Sequence, residues 1–176
     1  YIDSNGKIVI KPAFDLAGPF TNGLAEVLIG RQVGVIDRSG KIKVPPQFGR
    51  ALPFTKDILL VQEGEWTSGF FQGHERLDAL AASSYFLQNA GLYHISGYWV
   101  IRPGLSQVRT FDKDRIWAKS HRDSGFGLLA SNGRWIIGPQ LEYGDYYSTS
   151  DDRAVVRKQF DGATYSGAID GTGRLV

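Results

Sequence analysis

The amino-acid sequence predicts an all-β repeat architecture: short antiparallel strands and hairpins in copies of about 34 to 40 residues, with one inserted α-helix. Three observations carry that expectation. Glycine occurs 22 times, and Gly6, Gly40, Gly97, Gly133 and Gly173 each follow Asn, Ser or Thr between apolar runs. Tight hairpin turns, which need a positive φ, read this way. A skeleton of turn glycine, proline and aromatic recurs at fixed offsets as Gly6/Pro12/Phe20, Gly40/Pro46/Phe54, Gly97/Pro103/Phe111 and Gly133/Pro139/Tyr147. The segments after these glycines are β-branched or aromatic: Ile8-Val9-Ile10, Ile42-Lys43-Val44, Trp99-Val100-Ile101 and Trp135-Ile136-Ile137.

The elements follow in chain order. The first copy, residues 1–33, opens with an apolar strand into the Asn5-Gly6 turn and returns through Ile8 to Ile10. Pro12, which has no ladder donor, is expected to stop that strand, as Pro46, Pro103 and Pro139 stop theirs. Phe20 then serves as a core plug before a third strand, Leu24 to Ile29. The second copy, residues 34–66, falls into register without a gap and gives Phe54 and the strand Ile58 to Val61 the same places. Residues 67–90 break the pattern. There Leu77, Leu80, Ala81, Ser84 and Leu87 take i, i+3, i+4, i+7 and i+10 spacing, which predicts an amphipathic helix over His74 to Asn89. The third copy occupies 91–126, the fourth 127–166, and a partial fifth, 167–176, stops before its proline.

Composition narrows the function classes. The length favours a single domain, and Tyr1 in place of a methionine suggests a trimmed window. Twenty Lys and Arg against 18 Asp and Glu do not recommend a nucleic-acid partner. No apolar run reaches the roughly 18 residues that membrane insertion as a helix requires. Without cysteine there is no disulfide, thiolate nucleophile or Cys-ligated zinc.

The motifs point away from catalysis. His74-Glu75-Arg76-Leu77-Asp78 resembles a helical zinc motif with aspartate in the second histidine position, but neither His94 nor His121 sits in a supporting motif as third ligand. It reads instead as the first turn of a helix. Gly171-Thr172-Gly173 sits in a hairpin turn rather than at a strand-to-helix junction, and no Gly-x-Ser-x-Gly elbow occurs. No catalytic residue, metal or cofactor is therefore expected. Arg109, Lys113, Arg115, Lys119, His121 and Arg122 cluster around Trp117, diluted by Asp112, Asp114 and Asp123. Candidate protein-binding residues lie outside the skeleton: Trp66, Phe70, Phe71 and Glu75 near the insertion, with Glu142, Tyr143, Asp145 and Tyr146 in copy four. In the latter group carboxylates would steer a basic partner and tyrosines would bury area. An alternative carbohydrate or peptidoglycan platform requires Trp66 and Trp117 exposed and coplanar, whereas Trp99 and Trp135 occupy neighbouring positions in equivalent strands and are expected to pack.

The combination of Ile2-Asp3, Gly6-Lys7, the β-branched triplet, Pro12, Phe20 and Asn22-Gly23-Leu24-Ala25 resembles the WG β-repeat, or KWG repeat, family. The same elements return at Ile36-Asp37, Gly40-Lys41 and Ile169-Asp170. The Trp-Gly dipeptide is represented by its glycine in Val33-Gly34, Phe126-Gly127 and Ser166-Gly167. The resemblance implies a β-rich scaffold without an established catalytic constellation, in bacterial proteins of envelope, secreted and toxin-linked contexts, and it leaves the compartment of this chain open between the cytoplasm and the periplasm or envelope. Some members resemble antitoxins, so it also implies a protein partner and, most concretely, an immunity protein that neutralises a cognate toxin.

Overall fold

The computed structural model describes residues 1–66, 89–110, 112–123, 125–145 and 153–176. Every regular element among them is a β-strand. Apart from Asn89, the expected helix over His74 to Asn89 lies outside the described residues. The described chain forms two compact units, one of residues 1–66 and 91–100, the other chiefly of residues 101–176.

In the first unit β1 (Leu16–Ala17), β2 (Leu24–Ile29), β3 (Gln32–Asp37) and β4 (Ile42–Phe48) form one sheet in chain order. Next come β5 (Arg50–Pro53), β6 (Ile58–Gln62) and β7 (Ala90–His94), again side by side. β2 and β6 read as nearly continuous apolar runs, Leu-Ala-Glu-Val-Leu-Ile and Ile-Leu-Leu-Val, because both of their faces are covered. On one side lies the main core of Leu24, Leu28, Val33, Val35, Val44, Phe48, Ala51, Leu59, Val61 and Tyr93. On the other, Ala25, Val27 and Ile36 pack against Tyr1, Ile10, Phe14 and Phe20. Phe48, Tyr93 and Trp99 meet edge to face, with ring centroids 5.1 to 5.9 Å apart. Phe20 and Phe54 are the expected plugs; Phe111 and Tyr147 lie outside the described residues.

β8 (Tyr98–Thr110) leaves the first unit at Val100. In the second unit it is followed in the sheet by β9 (Arg115–Ser120), β10 (Phe126–Ala130) and β11 (Trp135–Leu141). β12 (Tyr143–Asp145), β13 (Arg153–Phe160) and β14 (Ala163–Asp170) form a three-stranded antiparallel sheet. Trp117, Phe126, Leu128, Leu141, Ala154, Val156 and Ile169 make its core, with Ile136 and Ile137 against them.

Three of the four prolines expected to stop a strand do not: β4 runs through Pro45-Pro46, β8 through Pro103 and β11 through Pro139. In the first copy only an isolated bridge, Ile2↔Ile8, stands where the hairpin was expected, and Pro12 lies in no strand. Between Val33↔Phe48 and Val35↔Val44 two residues of β3 face four of β4, and Phe126↔Leu141 with Leu128↔Ile137 repeats that mismatch in β10 and β11. The surplus residues form a bulge, and Pro46 and Pro139 lie within it. A bulged residue makes no ladder hydrogen bond, so a missing N–H costs little there.

Candidate functional site

The repeat's most regular chemistry is its turn. Asp37 Oδ1 accepts from the N–H groups of Ser39 at 2.9 Å and Lys41 at 3.2 Å, and from Ser39 Oγ at 2.6 Å. Its backbone N–H donates to the Lys41 carbonyl, and the Gly40 N–H to the Asp37 carbonyl. Asp170 repeats the arrangement with Thr172 and Arg174, and Asp3 with Asn5 and Lys7. The two eroded copies rebuild it from other groups. His94 Nδ1 accepts from the Ser96 N–H at 3.0 Å, and where Ala130 has no acceptor, Asn132 Oδ1 takes the Arg134 N–H at 3.0 Å. The turn glycines all have positive φ, from 79° at Gly6 to 99° at Gly97. Hydrogen bonds from Ser39 and from Thr172 hold the carboxyls of Asp37 and Asp170 below the usual carboxylate range. Ile-Asp and Gly-Lys are thus a hairpin device rather than a reactive pair.

The candidate partner-binding residues fall in several places. Trp66 is half-buried, packs on the main core of the first unit and donates its backbone N–H to Arg31. Glu142 is exposed and its N–H donates to the Arg157 carbonyl; Tyr143 and Asp145 follow it in β12. The strand therefore brings Glu142, Tyr143 and Asp145 together in sequence along one short edge, paired to β13 through Tyr143↔Arg157 and Asp145↔Val155. Phe70, Phe71, Glu75 and Tyr146 lie outside the described residues, as do His74 and Asp78.

Two other expectations change. Trp117 is only 1% exposed within the core of the second unit, and Trp66 packs on the main core of the first, so neither is the freely exposed indole that sugar stacking needs. Much of the basic cluster around Trp117 is engaged internally. Arg115 pairs with Asp112 and donates to the Gly171 carbonyl, while Arg109 and Lys119 each stand 5.9 Å from the centroid of the Phe126 ring.

Sequence reasoning missed an open pocket of about 330 Å³ in the second unit, lined among others by Arg102, Leu105, His121, Arg122 and Trp135. Asp123 shares that lining with the two arginines, so its charge is mixed. The residues come from three strands and a loop; His121 and Arg122 belong to the basic cluster read from the sequence, but no linear spacing joins them to Arg102, Leu105 and Trp135. The missed signal at Phe160 and Tyr165, which are 68% and 60% exposed on β13 and β14, was simpler: they sit in strand ends beyond the reach of the core.

The family model for the WG containing repeat matches residues 1–31 and 34–65. No curated protein and no solved structure matches the chain.

Proposed function

Because residues 1–31 and 34–65 belong to the WG-repeat family, we propose that the chain is a non-catalytic repeat module that binds another protein, most concretely a bacterial immunity protein that covers the active site of a cognate toxin. The observation that carries this reading is the use of the repeat signature. Asp37 and Gly40 make the turn, and Pro46 lies in the bulge beside Gly34. A signature devoted to backbone shape builds a scaffold, and scaffolds of this kind act through the side chains that the signature leaves open. Glu142, just before β12, and Tyr143 and Asp145 on it are such residues, at the edge of the three-stranded sheet among the described residues, and carboxylates with tyrosine suit a basic protein surface. The toxin-directed form follows the resemblance to antitoxin-like members and is an argument by family analogy.

The test is capture from the source lysate on the immobilised chain, with retained proteins identified by mass spectrometry. A stoichiometric protein partner is expected, and it should be lost when Glu142 and Tyr143 are both changed to Ala. Retention on peptidoglycan or glycan beads, with no protein captured, would overturn the reading in favour of an envelope binder.

A further inference from the structure

The pocket of the second unit occupies a repeat position that the first unit fills with aromatic rings. Counted from the repeat prolines Pro46 and Pro103, Phe48 is equivalent to Leu105 and Trp66 to Asp123. Counted from the turn glycines Gly97 and Gly133, Tyr93 is equivalent to Leu129 and Trp99 to Trp135. In the first unit Phe48, Tyr93 and Trp99 meet edge to face, and Trp66 packs on the same core. In the second unit two leucines and an aspartate stand for three of those four rings. Leu105, Asp123 and Trp135 there line the open pocket of about 330 Å³. The Trp135 indole lies on the β10 backbone at Gly127, where a Cβ would come within 2.7 Å of its Cζ3. It is a fixed wall, with the place that Phe48 takes against Trp99 left open beside it.

The rest of the lining carries both signs of charge. Arg102 and Arg122 are exposed and Asp123 is half-buried. Among the described residues neither guanidinium has an ion-pair or hydrogen-bond partner, and nor does the Asp123 carboxylate. The second copy has Pro45 in place of Arg102, and Glu65, which pairs with Arg31, in place of Arg122. The exchange of rings for smaller side chains thus coincides with a new set of unpaired charges. A simple anion would face Asp123, and a simple cation would face the two arginines. A ligand bearing one charge of each sign answers both.

We propose that this pocket binds a free aromatic amino acid. The ring lies against Leu105 and the Trp135 indole, as Phe48 lies against Trp99. The carboxylate meets the arginines, and the ammonium meets Asp123. Ligand pockets span about 300 to 1,000 Å³, and one at the lower end suits a single ring system with a short polar tail. The proposal is separate from the protein-binding reading, and neither depends on the other.

The test titrates the ¹⁵N-labelled 176-residue chain with L-phenylalanine to about 20 mM while amide and indole N–H shifts are followed. Saturable shifts are expected at Arg102, Leu105, His121, Asp123 and the Trp135 indole, with a Kd at or below about 1 mM. Phenylacetate, which lacks the ammonium, and N-acetylphenylalanine amide, which carries neither charge, should each bind at least about tenfold more weakly. Leu105→Phe restores the residue of the second copy and should abolish binding without lowering the melting temperature. Should that variant be destabilised, Asp123→Asn decides: it alters a carboxylate that bonds to no described group, and should weaken L-phenylalanine about tenfold without weakening phenylacetate. No saturable shift at the highest concentration, shifts centred outside the lining, or undiminished L-phenylalanine binding by Asp123→Asn would overturn the proposal. Equally tight binding of the blocked amide would assign the pocket to an aromatic side chain of a protein partner and overturn the free-ligand form.

Discussion

Gly34 and Gly127 owe their identity to strands other than their own. Each lies in extended backbone, where most residues are tolerated, and each is fixed by the bulge opposite it. Gly34→Ala and Gly127→Ala should therefore each cost about 1 to 3 kcal/mol, since a methyl is forced against backbone rather than against an adaptable side chain. Gly167→Ala should stay within about 0.5 kcal/mol of wild type. Thermal unfolding of the three variants checks the contrast, and a Gly34→Ala protein as stable as Gly167→Ala would refute the bulge explanation. The comparison also separates what the sequence reveals from what it hides. Gly40 is legible because Ser-Gly between apolar runs is a local signal, and its φ of 85° bears that out. Gly34 is recognisable only as a recurring letter. Its cause lies in the pairing with β4, which no window around residue 34 contains.

At the scale of the element, the hairpin turn is a hydrogen-bonded unit with a carboxylate at its centre. Hydrogen bonds from Ser39 to Asp37 and from Thr172 to Asp170 hold both carboxyls below the ordinary carboxylate range. As pH falls, the unfolded chain consequently takes up these protons before the folded one does. The stability contributed by the two turns is complete above the ordinary carboxylate range and is lost as pH drops through the lower folded values. Replacing both residues with Asn should flatten the decline in melting temperature below about pH 4. An equally steep decline in the double variant would show that other carboxylates govern it. The turns were legible as elements because Asn, Ser or Thr before glycine announces them. The length of the returning strands was not, because proline was read as a ladder breaker, and the bulge that accommodates it depends on the partner strand.

At the scale of the molecule, the repeats must be fastened to one another as well as folded, and in the first unit a buried ion pair does this between the first two copies. Glu26 on β2 and Arg50 on β5 are 5% and 7% exposed. Glu26 Oε1 accepts the Ala51 N–H at 2.7 Å and Arg50 Nε at 3.4 Å, and Oε2 accepts from Arg50 Nη2 at 3.5 Å. The alternation of β2 places Glu26 on the same side as Leu24 and Leu28, in the main core. From the sequence, Glu26 is a polar interruption in an apolar strand, and nothing nearby identifies Arg50 as its counterion. Glu26→Ala removes the acceptor shared by the Arg50 guanidinium and the Ala51 N–H in a site that water does not reach, and should cost about 3 to 5 kcal/mol in urea unfolding. Glu26→Leu combined with Arg50→Met should recover much of that loss, because apolar side chains of similar size remove both charges from the interior. A Glu26→Ala cost below about 1 kcal/mol would mean the pair is solvated like a surface bridge, and some other contact would have to fasten the two copies.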